Sequence, residues 1–564
     1  MINRWLVAHQ LNIECLGEYN RIDDLKVCNK GQTKFENDCV MRTDNNNVFC
    51  LQGYIFNKDL FCDRSEEWNK AFSKSMGDDF ERTLSMLRGA FCGFYYSGAD
   101  GLLRVFTDQI ANKAIYYYAN GDKWIIGTYL DDMVAVLKAN DQKLTFNETA
   151  AKYMLSYGYM LDDSTFIKEI HRVLPGEYVT INEGKATSER YYLIPNKEIQ
   201  MTEEEAVERI DASFRQAVQR EFEKDKEYGY RHLVDLSGGL DSRMTCWVAH
   251  SMGYTDQVNM TYSRSGYLDE EIARKVAGYL KHEYIFKMLD DAAWMKDIDD
   301  ITSLNNGAAL FLGITGGSRM LGLLNTDQFG IEHTGMIGDA ILSTFYHDRD
   351  FNFGPPRLGF HRYSERLQYS FDEKILSRYP CQEMFAIYTR GILGAQSSYI
   401  TRQHYVETSS PFMDVDFLET VFSVPFEYRD RHHIYLRWMK QKYPQATEFG
   451  WEKWGGIKPR EDQIWKRRFR TLHRLLDMKA AALTGRNSID NMTPVDYWYN
   501  EDPSIQMKFE QYYESYVKST EIPDTLRADI QKLYQEGTVM EKGMALTVLA
   551  EIKKYFTEEI QEKM

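Results

Sequence analysis

The chain predicts an α+β domain followed by an α/β domain whose last part is helical. Two observations carry this. The first third is a series of short aromatic and β-branched runs broken by Gly, Asn and Asp turns. After residue 200 the pattern changes to strand, glycine-rich turn, helix, strand, helix, strand, the alternation of a parallel sheet.

Taken in order, VFCLQGYIFN, GAFCGFYYS, LLRVFTD, AIYYYA, KWIIGTY and EYVTINE read as strands, with helical stretches such as Asp79 to Leu87 between some of them. This first domain is expected over 1–195. A polar break, IPNKEIQ, leads to Thr202-Glu203-Glu204-Glu205, a capping box before a helix whose apolar residues Val207, Ile210, Phe214 and Val218 recur at helical spacing. A second domain is expected over 200–470. It holds the strand at 232–236, a helix from Arg243 to His250, the strand QVNMTYS, a helix from Asp269 to Leu280 and the strand EYIFKML. Beyond about 355 the pattern is mainly helical, and 471–564 reads as a helical extension.

Composition narrows the class. With 564 residues, 43% hydrophobic and 27% charged, the chain can bury full cores without staples. No stretch approaches the roughly 18 apolar residues of a membrane span, and the N-terminus lacks the pattern of a secretion signal. The expected compartment is the cytoplasm. Eight cysteines show no metal-binding spacing and are read as reduced thiols. A net charge of −16 argues against nucleic acid as a partner, and the basic run Lys466 to Arg470 is read as a solvated helix face.

The chemistry-bearing string is Ser237-Gly238-Gly239-Leu240-Asp241-Ser242, between a helix and an apolar strand ending at Leu236, which is itself taken as a candidate cofactor-binding residue with Ser237, Gly238, Gly239, Asp241 and Ser242. Two glycines allow close backbone approach, and the helix start presents free N–H groups and positive dipole to an anion. Asp241 would repel bare phosphate and makes sense with a bridging Mg²⁺. No Walker pattern is present.

This string resembles the pyrophosphate loop of the ATP pyrophosphatase superfamily, and further strings resemble the asparagine synthetase family, up to about residue 460. The implied fold is an N-terminal nucleophile (glutaminase-like) domain followed by an adenine nucleotide α-hydrolase-like domain. VNMTYSRSGYLDEEIARKVAGYL looks like the family's second strand and helix, which puts the Met260 backbone against adenine. Thr334-Gly335-Met336-Ile337-Gly338-Asp339 is similar to the family's S-G-E-G-S-D, so that Thr334 and Gly335 would line the nucleotide and Asp339 would join Asp241 as the second Mg²⁺ ligand. SSPFMD looks like the family P-F-[LM]-D. In Trp451-Glu452-Lys453-Trp454-Gly455-Gly456, Lys453 is the candidate catalytic lysine, offsetting charge on the adenylate, with Lys458 as competitor.

In the first domain QGYIFN (52–57) sits where the family has N-G-E-I-Y-N, and LRGAFCGFYY, FTDQIANKAIYYY and RVLPGEY follow in matching order. The departures point away from glutamine hydrolysis. Position 2 is Ile where the family nucleophile is Cys, Cys15 would need an unusual cleavage, and Tyr54 replaces the Glu that holds glutamine. Met336 replaces a further family Glu, as in the Cys-less branch that includes β-lactam synthetases and lasso-peptide cyclases. The resemblance implies an ATP- and Mg²⁺-dependent ligase that adenylates a small-molecule or peptide carboxylate and passes it to an amine. Three alternatives stay open: an asparagine synthetase using ammonia, a tRNA-modifying ligase, which the acidic charge disfavours, and an inactive nucleotide-binding scaffold. A homodimer also stays open, and no residue type singles out the general base.

Overall fold

The computed structural model describes residues 4–557 apart from 32–33, 45, 63–66, 315–316 and 461–489. The run Lys466 to Arg470, the boundary at 470 and Ile2 therefore lie outside the described residues.

The first domain is a sandwich of two antiparallel sheets. One contains β1 (Arg4–His9), β2 (Asn20–Ile22), β3 (Leu25–Lys30), β8 (Tyr116–Asn120), β9 (Lys123–Gly127) and β10 (His171–Arg172), in the order β10-β8-β9-β1-β3-β2. The other contains β4 (Val40–Asp44), β5 (Asn47–Ile55), β6 (Gly89–Ser97), β7 (Leu102–Thr107), β11 (Glu177–Asn182) and β12 (Lys185–Arg190), in the order β12-β11-β7-β6-β5-β4. The period-2 alternation explains the layering. Val7, Val27 and Ile126 of the first sheet meet Val48, Cys50, Phe94 and Val105 of the second. The opposite faces each take helices. Leu6, Ala8 and Ile125 pack under the helix Leu130–Ala139, and Phe49, Leu51 and Phe106 pack under Trp68–Asp78 and Phe80–Met86. The result is four layers, helix, sheet, sheet, helix.

The second domain is built on a five-stranded parallel sheet of β13 (Arg231–Asp235), β14 (Gln257–Ser263), β15 (Glu283–Met288), β16 (Phe329–His333) and β17 (Glu407–Ser409), in the order β15-β14-β13-β16-β17. The chain order reverses at β13, so β13 and β16 separate at their C-terminal ends, where ligands enter open α/β sheets. The helix Glu203–Glu227 starts with the expected capping box at Thr202 and Glu205 and buries Val207, Ile210, Phe214 and Val218. The C-terminal helices Val495–Glu501, Pro503–Tyr516, Asp524–Glu536 and Val539–Phe556 share the core of this domain, and the last also reaches the first domain, where Tyr555 donates to Asp131 at 2.6 Å. No helix among the described residues is long and apolar enough to cross a membrane.

One buried ion cluster joins the two domains. Asp38, with no exposed side-chain surface, accepts from Lys58 Nζ at 2.5 Å, Lys224 Nζ at 2.9 Å, Tyr228 Oη at 2.7 Å and the Ile55 N–H at 2.7 Å. Lys58 belongs to the sandwich, whereas Lys224 and Tyr228 close the helix Glu203–Glu227. Lys58 and Lys224 also share Glu227, at 3.1 and 2.6 Å, so Asp38→Asn removes their buried anion but leaves the half-exposed one, and is expected to cost about 3 kcal/mol. Chemical denaturation of wild type and variant, followed by tryptophan fluorescence, measures that loss.

Candidate active site

The loop after β13 is held open by its own side chains. The Ser237 N–H donates to Ser242 Oγ at 3.0 Å, the Gly239 N–H to Ser237 Oγ at 3.1 Å and the Gly238 N–H to Asp269 Oδ1 at 2.7 Å. Burial pushes the Asp269 carboxyl up to about 6 although the Gly238 N–H works against it. The helix Asp241–Ser251 begins here, and its first-turn N–H groups have no intrahelical acceptor. Leu236 lies buried beneath the loop and gives its N–H to the Met260 carbonyl at 2.9 Å. Met260 itself is one strand away with its side chain packed among Leu233, Val258 and Met320.

A second loop, 334–339, presses on the first. A Cβ on Gly335 would lie 2.2 Å from the Ser242 nitrogen, and one on Gly338 would lie 2.7 Å from Asp241 Cγ, so both positions exclude any side chain. Between them Ile337 sits at φ 64°, a left-handed conformation that costs a β-branched residue of order 1–3 kcal/mol. This turn delivers Asp339, whose N–H donates to Asp241 Oδ2 at 2.9 Å. Asp241 Oδ1 accepts from Tyr435 Oη at 2.8 Å. Thr334 is buried and engaged, donating to the Ser409 carbonyl at 2.9 Å and lying 2.7 Å from Tyr399 Oη.

Lys453 completes the group. Its Nζ lies 3.3 Å from Asp339 Oδ2 and 3.4 Å from His432 Nε2, and about half of its side chain is exposed. The lysine is placed by the segment around it. The Glu452 N–H donates to the Gly238 carbonyl at 3.0 Å, and the buried Arg243 donates to the carbonyls of Gly238, Ala446, Phe449 and Gly450. Burial lowers Arg243 to about 10. Lys458 instead pairs with Glu448 at 2.8 Å on the surface.

Ser237, Gly238, Gly239, Asp241, Ser242, Thr334, Gly335, Asp339 and Lys453 therefore converge, whereas Met260 and Lys458 stand apart from them. Sequence reasoning missed Asp269, Arg243, Tyr435 and His432. Arg243 directly follows the glycine-rich string and was readable as part of it; Tyr435 and His432 lie in a distant helical stretch and carry no local signal. The donor set suits a divalent cation with a nucleotide. Burial first, and then the neighbouring Asp339 charge, push Asp241 up to about 8, an environment that a cation between the two carboxylates would relieve.

Comparisons with known proteins fit this picture. A glutamine amidotransferase domain model matches residues 41–192, most of the sandwich. Asparagine synthetase [glutamine-hydrolyzing] 1 of Bacillus subtilis is 23% identical over 223 residues, covering 39% of this chain and 34% of that protein. The chain is thus similar to asparagine synthetases over part of its length. It also matches the putative asparagine synthetase [glutamine-hydrolyzing] 2 of Methanocaldococcus jannaschii, at 24% over 37% of this chain and 42% of the other. It matches an amidase, chyE, of Penicillium rubens at 25% over 28% of this chain and 23% of the other. The matches span about a third to two fifths of the length of the two synthetases.

The state of Asp241 gives a sign-definite expectation for the chain. Its folded value, about 8, lies above the ordinary 3.8, so between those values the folded chain holds a proton that the unfolded chain has lost. Stability is therefore lost as pH rises through about 8. Asp241→Asn should flatten this dependence and raise the thermal midpoint at pH 8 more than at pH 5, as scanning calorimetry without divalent cation would register.

Proposed function

We propose that the chain is an ATP-dependent ligase that activates a carboxylate as its adenylate, releases pyrophosphate and transfers the acyl group to an amine. The observation that carries this reading is the meeting of Asp241, Asp339 and Lys453 around the loop Ser237–Ser242. Thr334 and Gly335 would line the nucleotide; the Met260 side chain is buried in the core, so only the backbone at that position is proposed to face the adenine. Asp241 and Asp339 would hold Mg²⁺, which when bound offsets charge on the leaving pyrophosphate. The first-turn N–H groups and the hydroxyls of Ser237 and Ser242 would orient the phosphates. Lys453, freed from Asp339, would donate to the oxygen that gains charge as the amine attacks, and fixed placement of the reactants supplies much of the rate.

The sandwich is proposed to have lost glutamine hydrolysis. Tyr54, where the family carries the glutamine-holding Glu, is fully buried among Phe35, Phe56 and Tyr228, and offers no carboxylate to an ammonium group. Cys15 is exposed on a short 3₁₀ turn, and its thiol is pushed up by partial burial, away from the thiolate a nucleophile needs. The names of two relatives favour asparagine as the product; joined to the loss of glutamine hydrolysis, that gives a second reading, an asparagine synthetase fed by ammonia.

ATP–pyrophosphate exchange across a panel of carboxylates tests both. The ligase reading expects exchange with at least one carboxylate that Asp241→Asn and Asp339→Asn abolish, and Lys453→Met should slow amide formation by about 10²–10³-fold. Exchange with aspartate, followed by asparagine from ammonia, selects the second reading. Product that depends on glutamine overturns the loss of hydrolysis, and absence of exchange with every carboxylate overturns the ligase.

A further inference from the structure

One edge of the site carries arginines that no acid answers. Arg390 is an exposed residue of the π-helix Ile387–Gly394, a rare form that is frequent at functional sites. Its Nη1 donates to His361 Nδ1 at 2.7 Å, and its guanidinium carbon lies 5.6 Å from the centre of the Phe345 ring. Burial, and then the Arg390 charge, lower His361 to about 4, so the imidazole that orients the guanidinium is neutral and leaves its charge uncompensated. His361 stands at φ 60°, a left-handed conformation that a non-glycine residue keeps only when its surroundings enforce it. Arg357 and Arg362 share this segment, their guanidinium carbons 5.9 Å from the Phe351 ring and 5.6 Å from the Tyr157 ring. Phe360 and Tyr363 add rings that are 42% and 54% exposed.

Among the described residues none of these three arginines has a carboxylate within ion-pair distance, although the chain carries a net charge of −16. Arg349 and Arg366, before and after them in the chain, are paired, the first with Glu198 and Glu427 and the second with Glu541. Two contacts tie Arg390 to the site. A Cβ on Gly391, the next residue, would lie 3.7 Å from the side chain of Ile337, the residue that turns the chain to Asp339. On the other side, Phe345 follows Ser343 by two positions, Ser343 Oγ accepts the His432 N–H at 3.2 Å, and His432 Nε2 lies 3.4 Å from Lys453 Nζ. A path of contacts therefore runs from Lys453 through His432, Ser343 and Phe345 to an exposed guanidinium. The two ends take different groups. A carboxylate to be activated belongs beside Lys453, whereas Arg390, with only Nη1 engaged among the described residues, offers its other donors as a fork. A protonated amine would be repelled by this lining, which assigns it to the acyl donor and not to the acceptor.

We propose that the acyl donor carries a second anionic group, a carboxylate or a phosphate, which Arg390 receives while Phe345 and His361 lie along the body between the two charged ends. This rests on the ligase reading above and names its substrate class, a dianion with an apolar or aromatic spacer. Aspartate, short and bearing an ammonium group, is disfavoured by the same lining.

Hexanoate, octanoate and phenylacetate are titrated calorimetrically onto the full chain beside adipate, suberate, para-carboxyphenylacetate and para-phosphonophenylacetate. At least one dianion is expected to bind about tenfold more tightly than its matched monoanion, and the better of the para-carboxy and para-phosphono probes names the anion. Arg390→Met should cut that preference to about twofold or less, and Arg390→Lys, a point charge without the fork, to an intermediate value. In wild type the preference should fall as salt is added, a reading that needs no variant. The preferred dianion should also support ATP–pyrophosphate exchange. No preference for any dianion, or a preference that Arg390→Met leaves intact, overturns the proposal, and the ligase reading survives if a monocarboxylate still supports exchange. A preference that depends on Arg390 without exchange on any carboxylate overturns both, because the anion then belongs to no acyl donor.

Discussion

The constraint on which the site depends is the enforced nearness of Asp241 and Asp339. Like charges do not approach unaided, and the fold holds them with backbone. Gly335 and Gly338 let the second loop lie against the start of the helix Asp241–Ser251, closer than any side chain would permit. Ile337 takes a left-handed turn to aim Asp339, and the price of that geometry is carried by the well-packed strands on either side. Tyr435 and the Asp339 N–H satisfy Asp241 in the meantime, and Lys453 faces Asp339.

Much of this was legible in the sequence, for reasons that can be named. GAFCGFYYS is strand β6 residue for residue, because both of its faces are buried and every position is aromatic, small or Cys. The helix Glu203–Glu227 was legible because its cap and its apolar spacing agree. Strand β12, KATSER, was not: it is an exposed edge strand whose polar letters resemble a loop, and it forms only because β11 offers a free edge. In the site, the glycine string announced itself because close approach restricts the letters allowed. Tyr435, His432 and the pair Arg390 and His361 did not, because their meaning lies in tertiary proximity across segments far apart in the chain.

The same contrast separates the two domains. In the second domain the letters that set the site are those the backbone geometry demands. In the first, the architecture is that of a glutamine amidotransferase domain, yet Tyr54 at the expected substrate position completes an aromatic cluster with Phe35, Tyr228 and Tyr230 at the junction with the second domain. On the proposed loss of glutamine hydrolysis, a position expected to face a ligand is instead part of an internal seam.

That seam bears on how the molecule comes apart. The cluster around Asp38 draws one cation from the sandwich and one from the end of the helix Glu203–Glu227, and the aromatic seam lies beside it. Separation would leave Asp38 with Lys58 on one side and Lys224 with Glu227 on the other, so its cost lies mainly in the aromatic carbon of the seam brought into water. The polar break after residue 195 thus marks a change of architecture across which the two domains share a packed aromatic seam and a buried ion cluster.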